Sequence, residues 1–472
     1  MPDDLPAWSV HSMQSLKIQK RIKDALEEED DTTDIKPVQM VKQLYRSCMD
    51  KDARDKRGIK PVKKIVDEIG GWPAAMNIST KKWYAQNISW QDVNEYYMSI
   101  LGINAFYTID KVRDDDNTSY NILTINDDFT LPAYVKNLMQ ELKDRYKDNY
   151  KNVLQTVIQT FSREDGYNKT EKQMSKDIKT IINFEAELIT IKREDNSESN
   201  VTRMTIGELQ EWYDGFSTAK SKMKVNFLKD IGIRFRMANL SINDSEMIAY
   251  NQEYFLNLAK LLGKTPKRVI VNYIHWNAIC KSLYYTSSNM VHVISTITNS
   301  IFNITKETKR WQKCVSGIQM KDALSYLYVK KYFPDERIQA VLEMIQTIRE
   351  ELEIRINHAQ WLPNELKKAM IEKLWNINLL IGYPEWYKNK TALIELYEGL
   401  EIGSDYFQNV LNCKQFEAIE WAKAFRRIVN RTEWYAYATT FNAFYMPVTN
   451  AISNAWNVSV EPKDYVGMRI QI

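Results

Sequence analysis

Four histidines, at positions 11, 275, 292 and 358, and four cysteines, at 48, 280, 314 and 413, are the residues of this 472-residue chain best suited to hold a metal or carry a nucleophile. Their spacing argues against both. A helical zinc site needs two imidazoles four residues apart, so that both nitrogens reach one ion at about 2.0–2.1 Å. The nearest two, His275 and His292, lie in different stretches of sequence, and no Cys-x-x-Cys pair exists. There is no Gly-x-Gly-x-x-Gly, no phosphate-binding glycine loop and no Gly-x-Ser-x-Gly elbow. Carboxylates such as Glu350-Glu351 sit among basic residues, as on a solvated helix face. The acidic run from Glu27 to Asp31 lacks the glycine turn and ligand spacing of a calcium loop. Local chemistry alone describes a helical globular protein and names no reaction.

The elements that would position any site are mostly helices. Glycine (14) and proline (12) are scarce, which favours long helices over strands and turns. Residues 12–48 read as helical, with a break near Arg57-Gly58. A helix over 60–69 is expected to stop at Gly70-Gly71-Trp72-Pro73. Between Ala105 and Leu131, alternating apolar residues flank Asp114-Asp115-Asp116-Asn117, which predicts a β-hairpin, expected to be the only substantial β-structure. Ile338, Val341, Leu342, Ile345, Ile348, Leu352 and Ile356 form one helical stripe, and Leu366, Met370 and Leu374 another; both are expected to be core. The fold class is therefore mainly α, a large multi-helix body with a small β-hairpin.

The charge balance, 64 basic against 61 acidic residues, shows no basic stripe of the kind that binds nucleic acid. No segment reaches the ~20 apolar residues of a membrane span, and the first residues carry no signal-peptide core. Against a cytosolic reading stand eleven Asn-x-Ser/Thr sequons, at Asn77, Asn87, Asn117, Asn168, Asn200, Asn239, Asn243, Asn303, Asn389, Asn430 and Asn457. Met1 is accordingly not expected to be the natural start of the chain.

Four segments together carry a resemblance. They are Leu44-Tyr45-Arg46-Ser47-Cys48-Met49 with Arg57-Gly58 and Gly71-Trp72-Pro73; Lys309-Arg310-Trp311-Gln312-Lys313-Cys314 leading to Ala323-Leu324-Ser325-Tyr326-Leu327-Tyr328-Val329; Trp361-Leu362, Lys367-Lys368-Ala369 and Lys373 closing on Ile381-Gly382-Tyr383-Pro384; and Glu433-Trp434 followed by Phe441-Asn442-Ala443-Phe444-Tyr445-Met446-Pro447, with Asn450 and Ile452. In this order and at this spacing they resemble the neprilysin and endothelin-converting-enzyme family of zinc metallopeptidases.

The resemblance implies a mainly helical, two-lobed body around a chamber, with a thermolysin-like catalytic lobe. Residues 1–433 would be the helical peptidase domain and 434–472 the start of the catalytic one. The family's His-Glu-x-x-His zinc helix is not in this sequence, and after Ile452 the text leaves the family pattern. The chain as written is thus expected to be truncated, to hold no zinc or other cofactor, and to hydrolyse nothing alone. By position, Asn442 and Ala443 match residues that hydrogen-bond the substrate main chain from an edge strand. Cys48 and Cys314 match a family disulfide, while Cys280 and Cys413 have no family partner. The implied location is extracellular or membrane-anchored in the type II sense, with peptides as substrates. The alternative is a non-catalytic homologue that binds peptides or dimerises with an intact relative.

Overall fold

The computed structural model describes residues 9–77, 82–83, 87–114, 116–127, 144–194, 201–216, 224–302, 304, 306–333, 335–429, 432–434 and 436–454. Among them are 18 α-helices. The chain opens with α1 (Val10–Glu27), α2 (Lys36–Met49), α3 (Lys51–Arg57), α4 (Lys60–Asp67) and α5 (Trp90–Leu101). Then come β1 (Thr108–Arg113), β2 (Asn121–Asn126), α6 (Asp144–Glu164), α7 (Glu171–Glu194), β3 (Val201–Thr205), α8 (Ile206–Phe216), α9 (Phe227–Met237), β4 (Met247–Asn251), α10 (Gln252–Lys264) and α11 (Lys267–Ser282). The remainder is α12 (Ser288–Phe302), α13 (Arg310–Ser316), α14 (Lys321–Tyr332), α15 (Asp335–His358), α16 (Asn364–Trp375), β5 (Asn378–Ile381), α17 (Lys390–Leu396), α18 (Tyr406–Phe425), β6 (Ala443–Met446) and β7 (Ala451–Asn454).

Local sequence accounts for many boundaries. Ser89 accepts the Asp92 amide while Asp92 reaches back to the Ser89 amide, a capping box that starts α5. Asp50, Asn226, Asn251, Asn389 and Asp405 cap α3, α9, α10, α17 and α18 with their side chains. After α4, Gly70 and Gly71 take φ of +91° and +77°, the left-handed region that stops the helix as the sequence predicts.

Two apolar cores lie side by side. The first gathers residues from Ile59 to Ile297, the second the N-terminal helices with residues 314–413 and Phe441. Helix α18 serves both. Phe407, Leu411, Ala422 and Phe425 fall on one stripe and enter the first core, while Tyr406, Val410 and Cys413, one step round the helix, enter the second.

The predicted hairpin is present as β1 and β2, paired antiparallel from Thr108↔Asn126 to Arg113↔Asn121. It is not the only β-structure. Strands β4 and β3 extend it to a four-stranded sheet of order β1-β2-β4-β3, and β5, β7 and β6 make a three-stranded sheet. Strands β3 and β4 each run without a break into a helix, and their partners are distant in sequence, so no local alternation marks them.

A second correction concerns the two apolar stripes. Val341, Ile345, Ile356 and Leu374 are buried, yet Ile348 and Leu352 are 44% and 43% exposed, and Leu366 and Met370 are 47% and 37% exposed. Helices α15 and α16 pack on each other over a small cluster of Ile356, Leu362 and Leu374, apart from the two main cores. The middle of the α15 stripe therefore faces outward, and Trp361, between α15 and α16, is 81% exposed.

Candidate functional site

The two residues that the resemblance assigns to substrate binding lie at the margin of the smaller sheet. Its order, β5-β7-β6, puts β7 in the middle, parallel to β5 and antiparallel to β6. Strand β6 begins at Ala443, and among the described residues no strand pairs with its outer side. Asn442 is exposed and its side-chain oxygen accepts the Ala443 amide at 2.8 Å. Phe444 and Tyr445 are 38% and 40% exposed. An edge of this kind offers unpaired main-chain donors and acceptors to an extended peptide.

Asn450 ties the parts of the sheet to one another and to a helix. Asn450 takes a left-handed conformation (φ 48°, ψ 53°) after the Pro447–Thr449 turn. Its side-chain oxygen accepts the Tyr445 hydroxyl at 3.0 Å, its amide donates to the Lys373 carbonyl of α16 at 2.9 Å, and its own carbonyl accepts the Asn378 amide of β5 at 2.8 Å. On the other side, β5 ends at Gly382 (φ +86°), where an added Cβ would stand 3.0 Å from the Ile338 side chain. Gly382 permits both the turn and that contact.

The histidines do not assemble. His275 is wholly buried in α11, its Nδ1 shares a 2.7 Å hydrogen bond with the Tyr97 hydroxyl, and burial pushes its pKa down to about 3. His11 lies against the Phe441 ring at 5.4 Å, His292 is 3.7 Å from Glu307, and His358 bonds the Ile354 carbonyl of its own helix. Among the described residues no group of three or more His, Cys, Asp or Glu side chains could hold a metal ion. Cys48 and Cys314 are joined by a disulfide that ties α2 to α13. Cys280 and Cys413 are buried free thiols, each pushed up to about 12 by burial.

The family model for peptidase family M13 matches residues 1–384, more than half of the chain. The chain belongs to peptidase family M13. Mouse and human neprilysin are each 28% identical to it over 445 residues, covering 91% of this chain and 58% of the relative. Neprilysin-2 of Drosophila melanogaster is 27% identical over 481 residues, covering 96% of the chain and 59% of the relative. The chain thus spans somewhat under two thirds of the length of these M13 relatives. In fold it is similar to the zinc metalloprotease ZMP1 of Mycobacterium tuberculosis (TM-score 0.76, 16% identity, 98% of this chain, 66% of that one). It is also similar to PepO of Lactobacillus rhamnosis (TM-score 0.74, 17% identity, 98% and 69%). The M13 family is zinc-dependent.

The resemblance puts both Asn442 and Ala443 on an edge strand, whereas β6 begins at Ala443 and Asn442 precedes it; Asn450 had no role beyond its place in the motif. The available signal was weak: asparagine after a Pro-Val-Thr turn is a frequent left-handed residue. The sequence held no sign of the bonds to Lys373 and Asn378.

Proposed function

We propose that this chain is the peptide-binding helical part of an M13 metallopeptidase, and that polypeptides bind by pairing with the free edge of β6. Asn442 and Ala443 hold the main chain of the ligand there, the Asn442 amide donating and the strand's own groups completing the ladder. The observation that carries this reading is the position of β6 at the sheet margin, anchored through Asn450 yet unpaired outward. Residues 1–472 alone do not hydrolyse peptides on this reading, because they offer no pair of histidines at helical spacing. A role as a non-catalytic partner of an intact relative draws on no specific observation.

The test uses the alternation of a strand. Of two consecutive β6 residues, one directs its N–H to β7 and the other to the open edge. Phe444→Pro and Tyr445→Pro are therefore expected to differ. One disrupts the hairpin; the other keeps the folded circular-dichroism spectrum and weakens binding of a labelled, proline-free extended hexapeptide at least tenfold. Peptide binding that survives both substitutions sinks the pairing reading. Zinc-dependent, chelator-sensitive cleavage of that hexapeptide by residues 1–472 would falsify the expected inactivity.

The compartment proposed is the secretory one. Asn77, Asn87, Asn117, Asn168, Asn239, Asn243 and Asn389 are all exposed, while Asn200, Asn303, Asn430 and Asn457 lie outside the described residues. Among the described residues no helix is long and apolar enough to cross a membrane. Chain secreted from a eukaryotic cell is expected to lose several kilodaltons on treatment with peptide N-glycosidase; no shift would count against glycosylation.

A further inference from the structure

A cleft of about 720 Å³ opens between the hairpin side of the molecule and the second core. Trp386, Trp434 and Tyr437 line it, together with Asp322, Glu385, Glu433 and Arg427. An adjoining recess of about 380 Å³ shares Asp322, Arg427, Glu433 and Tyr437 with the cleft and adds Lys321, Glu417 and Glu420. Across both, the described lining residues supply five carboxylates (322, 385, 417, 420, 433) against two cations (321, 427).

Three of those carboxylates are already paired: Glu385 with Lys388 at 3.1 Å, Glu420 with Lys423 at 2.8 Å, and Glu433 with Arg113 at 3.6 Å. Asp322 has no ion pair within 4.0 Å among the described residues, while Glu417 feels the charges of Lys414 and Lys321 from beyond that distance. Asp322 is nonetheless fixed, since the Tyr387 hydroxyl donates to it at 2.8 Å. Burial raises the Asp322 carboxyl above its ordinary pKa, the expected response of an anion that lacks a cation. A further acceptor waits at the same place. Gln319 lines the recess, and its side-chain oxygen is buried without a hydrogen-bond partner. Aromatic rings, the Asp322 carboxylate without a cation of its own and an unfilled acceptor together suit a guanidinium or ammonium group, which stacks on rings and donates to oxygens at once.

We propose that this cleft takes the arginine or lysine side chain of a peptide bound along β6, and so makes the site selective for basic peptides. The proposal rests on the pairing reading for its peptide, but the cleft's charge preference is a separate property. Trp434 and Tyr437 belong to the segment that runs on through Phe441 to Asn442. Five residues of extended chain span at most about 17 Å. The basic residue therefore lies within about five positions of the segment that pairs with β6.

Isothermal titration of the oxidised chain with N-acetyl-arginine amide and N-acetyl-citrulline amide tests the cleft without any strand pairing. A second pair of probes, one hexapeptide carrying arginine or citrulline, tests it with pairing. Citrulline keeps the shape and most of the hydrogen bonds and removes the charge. The arginine form of each pair is expected to bind at least tenfold tighter, and that preference should vanish in Asp322→Asn/Glu417→Gln. If the double variant misfolds by near-ultraviolet circular dichroism, Glu417→Gln alone, at an exposed position, is expected to reduce the preference at least threefold. Equal binding of arginine and citrulline probes, or a preference that persists in the folded variants, overturns the proposal. A citrulline hexapeptide still sensitive to the β6 proline substitutions would leave the pairing reading standing in that case. An arginine-amide preference with no effect of those prolines would instead sink pairing and leave the cleft.

Discussion

Replacing Cys48 and Cys314 together by alanine is expected to cost about 5 kcal/mol of stability, the chain-entropy value for releasing a loop of this size and an upper figure. The two cysteines are 266 residues apart in sequence with Cα atoms 5.7 Å apart, so the bond removes a very large loop from the freedom of the unfolded chain. It does so between α2 and α13, both in the second core, where Cys48 and Cys314 are buried. Urea unfolding of the oxidised protein, the double variant and the reduced wild type reads the effect; a loss under 1 kcal/mol would mean the unfolded chain is compact enough to make the link redundant. Thiol titration provides the internal control. Native oxidised protein should show no reactive thiol, because Cys280 and Cys413 are buried and held protonated, and two should appear on unfolding.

The second large effect concerns Glu185, which has no exposed surface in the first core. The Tyr150 hydroxyl donates to one of its oxygens at 2.6 Å, Trp276 donates in turn to Tyr150 at 2.7 Å, and the other oxygen has no partner. Burial raises its pKa from 4.5 to about 7. The folded state therefore holds this proton more tightly than the unfolded state does. Stability is untouched by the group below pH 4.5, falls as pH rises from there, and is lowered in full above about 7. The shift corresponds to about 3 kcal/mol. Glu185→Gln keeps an acceptor for Tyr150 and removes the charge, so it is expected to stabilise the chain by about that amount at pH 8 and hardly at all at pH 4.5. Asp230, bonded by Tyr107 and likewise raised to about 7, acts in the same direction. His275 opposes both. Its depressed pKa takes stability away as pH falls below 6.5 toward about 3. Denaturation midpoints of wild type and Glu185→Gln across pH 4.5 to 8 settle the matter, and two parallel curves would refute it.

Much of the frame was legible because it is local. The stop at Gly70-Gly71, the hairpin around Asp114–Asn117 and the helices at 60–67, 335–358 and 364–375 follow from glycine φ, alternation and periodicity within a few residues, whereas the stretch read as one helix over 12–48 is broken between Glu27 and Lys36. The family resemblance supplied what spacing could not, namely the Cys48–Cys314 pair and a strand that begins at Ala443. What stayed hidden depends on partners far away in sequence. Ile348 and Leu352 fit an apolar stripe as well as Val341 and Ile345 do, and only the tertiary arrangement leaves two of them uncovered. That Asp322 has no cation within 4.0 Å among the described residues is a property of the cleft, invisible in composition. Strands β3 and β4 were missed because each pairs outside its own neighbourhood.

If peptides pair with β6 as proposed, Asn450 bears on how tightly they are held. One residue closes the β6–β7 turn, fastens it to β5 and anchors both to the end of α16, so the edge of β6 is fixed before any ligand arrives. A loop that had to become a strand on binding would give up ordering entropy at every residue, about 1–2 kcal/mol of backbone freedom each. Here that expense falls on folding instead, and on the pairing proposal the peptide alone would have to be ordered. Preorganisation of this kind makes even a four-residue strand a useful template, and it predicts that loosening the tether at Asn450 weakens binding without touching a single atom that meets the ligand.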